Sequence, residues 1–130
     1  MKKYLVDTHV VLWCAENSDK LTDNMKAALS DKSSEKYVSI ASAWEIAIKL
    51  GKKNFNLDID GGLLEFYRMI DEGGYITLSV EREHLELLPD MPLHHKDPFD
   101  RLLIATAISE DMTLITGDEN IHKYDVPVLW

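Results

Sequence analysis

Short apolar segments alternate along this chain with longer segments whose apolar residues recur every three or four positions. The short segments are typical of buried strands and the longer ones of helices. Strands are predicted at residues 4–6, 37–40, 75–78, 112–116 and 126–129. Helices are predicted at residues 10–15, 24–31, 42–51, 63–72, 79–88 and 98–110, and residues 52–62 are predicted to form a polar connection.

This order of strands and helices predicts an α/β domain with a central, mainly parallel sheet of four to five strands flanked by helices. No internal repeat, linker or low-complexity segment interrupts the 130 residues, so we expect a single domain over residues 1–130. Pro127 indicates that the last strand lies at a sheet edge, because proline cannot donate to a neighbouring strand. In such folds, binding sites form beyond the carboxyl ends of the strands.

Residues with capping preferences mark the predicted helix ends. Ser42 is expected to cap the third helix, where Ser42 and Glu45 match the capping-box pattern. Gly51 is expected to end that helix. Ser79 is expected to begin the fifth helix and Pro89 to end it.

The predicted helix at residues 98–110 has an acidic start and an almost wholly apolar body. Pro98 suits the first helical position, which makes Asp97 the N-cap and places Asp100 in the first turn. A carboxylate at the start of so apolar a helix is held close to the protein interior. The neighbours of Asp100 are therefore central to the function of the chain.

Three further acids are predicted at the carboxyl edge of the sheet. Asp7 follows the first strand, Asp118 follows the strand at residues 112–116, and Glu45 lies in the first turn of the helix after the second strand. Parallel strands share one carboxyl edge, so these three side chains should lie near one another. Asp100 joins them only if the preceding loop returns to that edge.

Each of these acids also has an ordinary structural use. Asp7 and Asp100 can stabilise helix starts, and Asp118 can belong to a turn. Glu45 can form an ion pair with Lys49, four residues on. A cluster of these acids needs a further source of stabilisation, because two carboxylates about 4 Å apart repel by about 4 kcal/mol at an effective dielectric constant near 20. They must keep protons or bind a cation, and oxygen ligands favour Mg²⁺ or Mn²⁺, which promote phosphodiester hydrolysis.

Polar and basic residues near the proposed edge can assist the acids. Ser42 and Thr116 are candidate hydrogen-bond donors to the carboxylates, and cap or strand-end roles suit them equally. Arg101 can contact substrate or orient Asp97 or Asp100. The candidate contacts to a substrate backbone are Lys49, Lys52, Lys53, Lys96 and Arg101.

Composition narrows the classes of function. The net charge of −9 argues against a protein that binds nucleic acid through an overall positive charge. It does not argue against an enzyme whose acidic residues bind cations. No apolar run approaches a membrane span, and the single Cys14 precludes an internal disulfide, so a cytoplasmic setting is expected. The sequence contains neither a glycine-rich phosphate-binding motif nor the Gly-x-Ser-x-Gly motif of a serine nucleophile. The adjacent His94 and His95 are expected in a solvated loop.

Four segments share a specific pattern, in order along essentially the whole chain: residues 5–13 (LVDTHVVLW), 41–49 (ASAWEIAIK), 95–105 (HKDPFDRLLIA) and 116–118 (TGD). Together they resemble the PIN-domain family, and most closely its VapC-type toxins of bacterial toxin–antitoxin pairs. The resemblance implies a PIN-like three-layer domain and a Mg²⁺- or Mn²⁺-dependent endoribonuclease. It also implies a homodimer that a small antitoxin holds inactive.

The resemblance assigns roles to particular residues. The family's acidic positions fall on Asp7, Glu45, Asp100 and Asp118. The residues expected to support them are Thr8, Ser42, Thr116 and the additional acid Asp97. Many relatives carry a basic residue where this chain has Gly117, a departure that leaves the acidic positions intact.

Two alternatives come from other functional classes. A catalytically silent PIN-like module would bind RNA or protein without cutting, and the presence of all four acids disfavours it. A receiver-type phosphoacceptor would need adjacent acids after the first strand, whereas Asp7 is followed by Thr8 and His9.

Overall fold

The computed structural model describes residues 1–52, 59 and 61–130. Its strands are β1 (Lys3–Val6), β2 (Glu35–Ser39), β3 (Ile76–Leu78), β4 (Thr113–Ile115) and β5 (Val128–Leu129). Its helices are α1 (Thr8–Glu16), α2 (Asp23–Ser30), α3 (Ile40–Leu50), α4 (Gly62–Glu72), α5 (Arg82–Glu86) and α6 (Pro98–Glu110). Short 3₁₀ turns occupy Leu88–Asp90 and Glu119–Lys123.

The strands form one sheet in the order β3-β2-β1-β4-β5, and every neighbouring pair is parallel. The predicted fold class is confirmed, and β5 lies at an edge as predicted. Among the described residues, none of the helices has the length and apolar character of a membrane span. Lys53 and most of the predicted connection at residues 52–62 lie outside the described residues.

The central strand β1 divides the core into two halves. Tyr4 and Val6 pack with residues of α1 to α4, including Val10 and Phe66, whereas Leu5 packs on the other side with residues of α6. Alternate residues of a strand point to opposite faces, so burial on both faces produces the continuous apolar run seen in the sequence. The sheet is therefore the middle of three layers, and its packing on both faces fixes the positions at which the loops of the carboxyl edge begin.

The predicted start of the third helix is wrong. Helix α3 begins at Ile40, directly after β2, and the Ser39 hydroxyl caps it by accepting the Ala41 N–H at 3.1 Å. Because the strand runs into the helix without a loop, Ser42 lies inside the first turn and is buried. The expected capping box is absent, and Glu45 lies in the second turn. Gly51 follows the last residue of α3 as predicted.

The fifth helix also begins differently from the prediction. It starts after Glu81 instead of Ser79, and the Nδ1 atom of the buried His84 accepts the Glu81 N–H at 3.0 Å. The other ring nitrogen of His84 lies 2.7 Å from Glu110 Oε1 on α6, so this histidine joins the two helices. Pro89 lies within the 3₁₀ turn that follows α5.

Helix α6 has the predicted bounds, with Asp97 as its N-cap. One oxygen of Asp97 accepts the N–H groups of Phe99 at 2.8 Å and Asp100 at 3.4 Å. Pro98 takes the first helical position, where its missing N–H costs nothing. Asp100 is thereby fixed in the first turn.

The loop before α6 is anchored on both sides at the carboxyl edge of the sheet. The Tyr124 hydroxyl accepts the N–H groups of His94 at 3.0 Å and His95 at 2.9 Å. The Arg101 guanidinium donates to two loop carbonyl oxygens, at 2.9 and 3.2 Å, and lies 3.2 Å from the same hydroxyl. This anchoring accounts for the position of Asp100, which the sequence pattern alone left open.

Replacing Tyr124 with phenylalanine removes the shared acceptor while keeping the buried ring. We expect Tyr124→Phe to lose about 1–2 kcal/mol of unfolding free energy, because loop donors lose their partner. Urea denaturation followed by circular dichroism measures this. Tyr67→Phe on α4 is the matched control and should change stability by less than about 0.5 kcal/mol. Equal losses in the two variants would contradict the anchoring role.

Candidate metal centre

The carboxyl edge of the sheet carries a cleft of about 160 Å³ lined by acidic side chains. Three of the predicted acids, Asp7, Glu45 and Asp100, line this cleft together with Asp97. Asp118 adjoins them, because its carboxylate and that of Asp100 contact the same histidine. The structure therefore brings all four predicted acids together.

Asp7 is the most deeply buried of the four, with 2% of its surface exposed. Its Oδ1 accepts the Thr8 N–H at 2.7 Å, and its Oδ2 accepts the Thr116 hydroxyl at 2.8 Å. Burial raises the pKa of Asp7 above its ordinary value, and the nearby Glu45 adds to this, whereas His9 and the two hydrogen bonds oppose it. Thr8 and Thr116 thus each donate to Asp7, and they fix the direction of both of its oxygens.

The pKa of Asp100 depends on its burial and on the charges of the neighbouring acids. Burial is the largest cause that raises the pKa of Asp100, which reaches about 8. The charges that raise it further are those of Asp7, Asp97, Asp118 and Glu45, in that order. The other three predicted acids therefore all act on this one carboxyl group. Near neutral pH it retains a proton unless a positive charge is supplied.

His95 lies between two of the acids, contrary to the expected solvated loop. Its Nε2 is 2.9 Å from Asp100 Oδ2 and 2.8 Å from Asp118 Oδ2. Its Nδ1 accepts the Asp97 N–H at 3.2 Å, which leaves the hydrogen on Nε2, between the carboxylates. The side chain of His94 takes another direction, against the Tyr124 ring. The sequence signal for His95 was its place in the segment that resembles the PIN-domain family.

Asp118 differs from Asp100 in the direction of its pKa shift. Its Oδ1 accepts the Asn120 N–H at 2.9 Å, and its own N–H donates to the Thr116 hydroxyl at 3.1 Å. Burial acts to raise the pKa of Asp118, but the hydrogen bonds from His95 and from the Asn120 N–H outweigh it and lower the pKa. Asp118 therefore stays ionised, and the Thr116 hydroxyl joins it to Asp7.

Glu45 comes from the second turn of α3 and is 8% exposed. Its Oε2 lies 3.3 Å from Lys49 Nζ, the predicted ion pair. The buried Ser42 accepts a hydrogen bond from the Thr8 hydroxyl at 2.8 Å. Ser42 therefore ties α3 to α1, and within the described part of the chain it makes no hydrogen bond to a carboxylate, contrary to our expectation.

The basic residues predicted to contact substrate fall into two groups. Lys49, Lys52 and Lys96 line a groove that adjoins the acidic cleft. Arg101 faces the anchoring loop, where its guanidinium bonds two carbonyl oxygens and Tyr124. The prediction that Arg101 contacts substrate or orients an acid is corrected accordingly, since its donors hold the loop.

The space next to Gly117 is filled by two rings from α1. An added Cβ would lie 2.7 Å from Trp13 Cη2, and His9 Nε2 accepts the Gly117 N–H at 3.0 Å. The other ring nitrogen of His9 is 3.5 Å from Asp7 Oδ2. This chain thus places an imidazole beside the acids where many relatives are expected to extend a basic side chain. Sequence reasoning missed His9, whose one signal was its position two residues after Asp7.

Comparisons with known proteins identify the family and the fold of the chain. The family profile described as the PIN domain matches residues 4–127. No curated protein matches the chain. Among solved structures, the chain is similar to VapBC2 from Rickettsia felis bound to a DNA fragment from its promoter, with 13% identity, a TM-score of 0.71 and 98% of each chain covered.

Two further structures share the fold at similarly low identity. VapBC-1 from nontypeable Haemophilus influenzae has 14% identity and a TM-score of 0.67, covering 98% of this chain and 96% of that one. The PIN-domain endonuclease Utp24 has 16% identity and a TM-score of 0.56, covering 98% of this chain and 83% of that one. Because the family profile spans residues 4–127 and the gathered acids all lie within it, the chain belongs to the PIN-domain family.

Proposed function

We propose that this chain, as a single domain over residues 1–130, is a divalent-metal-dependent endoribonuclease and the toxin of a toxin–antitoxin pair. The observation that carries the proposal is the convergence of Asp7, Glu45 and Asp100 on one cleft, with Asp118 beside it across His95. Burial, and after it the charges of the neighbouring acids, raise the pKa of Asp100 to about 8. Membership of the PIN-domain family supports nuclease activity. The similar fold of two VapBC proteins supports the toxin role.

The residues of the cleft fit a divalent cation. The four carboxylates offer oxygen ligands, the donor type that Mg²⁺ and Mn²⁺ prefer, and a cation would relieve the repulsion that Asp100 experiences. The residues that would hold it are Asp7, Glu45, Asp100 and Asp118. When bound, such an ion supplies Lewis acidity, which lowers the pKa of a water and stabilises the leaving oxygen of a phosphodiester.

The chain's own residues hold the carboxylates in place. The Thr116 hydroxyl and the Thr8 N–H orient Asp7, and the Asn120 N–H orients Asp118. His95 holds one oxygen each of Asp100 and Asp118 within 2.9 Å of the same nitrogen, so these oxygens are already close together. Preorganised ligands lose little conformational freedom on binding, which favours both affinity and catalysis.

The proposed substrate and partners follow from the family resemblance and the charges at the site. Lys49, Lys52 and Lys96 stand beside the acids and suit a phosphate backbone. RNA as the substrate, a cognate antitoxin, a homodimer and a cytoplasmic location are the proposals that the VapC-type resemblance adds.

Removing one carboxylate charge should abolish cleavage without unfolding the protein. We expect Asp7→Asn and Asp118→Asn each to lower the Mg²⁺-dependent cleavage rate at least about a hundredfold, equivalent to about 2.7 kcal/mol of barrier. A quenched fluorescent RNA measures the rate, and circular dichroism checks the fold. Asp71→Asn, on the exposed face of α4, is the matched control and should cut normally.

The same assay separates the enzyme from a silent RNA-binding module. The wild-type protein should show activity that rises with added Mg²⁺ or Mn²⁺ and disappears with EDTA. A protein that binds RNA but yields no products at any cation concentration would overturn the proposed enzyme. Undiminished cleavage in a pure Asp7→Asn preparation would overturn the assignment of the site.

The raised pKa of Asp100 predicts how stability depends on pH. Its folded pKa of about 8 lies above the ordinary 3.8, so its contribution is fully favourable below about pH 4 and is lost as the pH rises through 8. Without a cation, Asp100→Asn should therefore be more stable than wild type at pH 8, by on the order of 1 kcal/mol, and the gain should shrink at pH 5.

Thermal unfolding in EDTA and in Mn²⁺ tests this expectation. Mn²⁺ should raise the Tm of the wild type at pH 8 by a few degrees and should raise that of Asp100→Asn much less. A variant that is destabilised equally at pH 5 and pH 8 would show that the pKa of Asp100 is not raised in the folded protein.

A further inference from the structure

His9 lies between the two segments that carry Asp7 and Asp118. It is the second residue of α1, and its Nε2 accepts the N–H of Gly117, the residue directly before Asp118, at 3.0 Å. Its Nδ1 lies 3.5 Å from Asp7 Oδ2. One side chain thus contacts two segments that are 108 positions apart in the sequence.

The contact with Gly117 fixes the tautomer of the neutral imidazole. A ring nitrogen that accepts an N–H carries no hydrogen of its own, so the hydrogen of His9 lies on Nδ1, on the side of Asp7. Both ring nitrogens are therefore directed at the protein. This arrangement favours a role within the site over a contact with substrate, although 34% of the His9 side chain is exposed.

Trp13, one helical turn after His9, packs against the same turn. The two rings have centroids 4.7 Å apart and planes at 58°, and Trp13 itself packs against the core cluster that contains Val6 and Val10. A Cβ at position 117 would lie 2.7 Å from Trp13 Cη2. Because glycine has no Cβ, the turn can come close enough to α1 for the His9 ring to reach its backbone.

Two acceptors hold consecutive N–H groups of the segment that bears Asp118. The Thr116 hydroxyl accepts the Asp118 N–H at 3.1 Å and donates to Asp7 Oδ2 at 2.8 Å, whereas His9 accepts the Gly117 N–H. Thr116 is fully buried and Gly117 is exposed, so His9 is the acceptor on the outer side of the turn. Without His9, the backbone before Asp118 would gain freedom while Asp7 kept its own hydrogen bonds.

We propose that His9 is a positioning residue of the metal centre, which holds the Asp118 carboxylate in place relative to Asp7 by accepting the Gly117 N–H. The inference rests on the proposed function, because it concerns the same site. Groups that orient metal ligands typically contribute about 10- to 100-fold to metal affinity or activity. His9 acts through the backbone of the turn, so its loss should lower cation affinity and turnover and leave RNA binding unchanged.

Three substitutions separate the contacts of His9. His9→Phe keeps a ring against Trp13 but has neither nitrogen, His9→Gln places a carbonyl oxygen near the position of Nε2, and His9→Asn reaches only the position of Nδ1. We expect His9→Phe and His9→Asn to weaken Mn²⁺ binding about tenfold and His9→Gln to stay within about threefold of wild type, measured by isothermal titration calorimetry.

Thermal unfolding and a matched control exclude a general loss of structure. The Gly117 N–H is exposed, so water can replace its acceptor, and the Tm should fall by only a few degrees in all three variants. His122→Phe is the control, since His122 also packs against a tryptophan, Trp130, with ring centroids 3.6 Å apart. It should bind Mn²⁺ and cleave RNA normally.

Kinetics and a double-mutant cycle test the route through Asp118. In His9→Phe, kcat should fall about tenfold while the KM for a quenched fluorescent RNA changes less than about twofold. In the Asp118→Asn background, His9→Phe should change Mn²⁺ affinity by less than about twofold, because the carboxylate on which it acts is already gone.

The outcomes distinguish the role of His9 from the enzyme. If the wild type binds Mn²⁺ and cleaves RNA, and His9→Phe does both equally well, the positioning role is overturned and the proposed function stands. A raised KM at unchanged Mn²⁺ affinity would make His9 a substrate contact and would also overturn the role, as would equal losses in His9→Gln and His9→Asn. That last comparison decides the question even where His9→Phe does not fold. A wild type that neither binds Mn²⁺ nor cleaves RNA would overturn both proposals.

Discussion

Repulsion among carboxylates gathered in a partly buried cleft is the constraint on which this structure depends. Two such charges about 4 Å apart cost about 4 kcal/mol at an effective dielectric constant near 20, which is a large part of the stability of an ordinary domain. Burial and, after it, four neighbouring acids together raise the pKa of Asp100 to about 8. A protein keeps such an arrangement only where the charge has a use.

The surrounding residues reduce this cost without removing it. Lys49 pairs with Glu45, the Thr116 hydroxyl donates to Asp7, and the hydrogen on His95 Nε2 lies between Asp100 and Asp118. These contacts fix the oxygens in direction. Of these groups, Lys49 brings a full positive charge to a cleft lined by several carboxylates, so the site is ordered yet remains attractive to a cation.

The fold and the identity of the acids could be predicted because both depend on local signals. Strand periodicity and the order of elements indicated a parallel sheet, and the strand ends carried Asp7 and Asp118. The wrong Ser42 cap arose where β2 runs directly into α3, since no loop there provides a boundary. Capping rules describe a helix end but do not locate it when a strand adjoins it.

What could not be predicted depends on contacts between distant parts of the chain. His95 meets Asp118 across 23 positions, and Arg101 holds the loop through Tyr124, also 23 positions away. The local argument that adjacent histidines point in different directions was correct, since His94 packs on Tyr124. It could not say which of the two would face the acids.

The Tyr124 anchor has a consequence for how the protein is made. The loop bearing His95 is held by the hydroxyl of Tyr124, which ends the turn after β4, and Asp118 directly precedes that turn. A ribosome-bound chain that lacks this part already contains Asp7 and Glu45, but it lacks the contacts that hold the loop bearing His95. The arrangement in which His95 contacts both Asp100 and Asp118 therefore depends on a part of the chain that is synthesised after both acids.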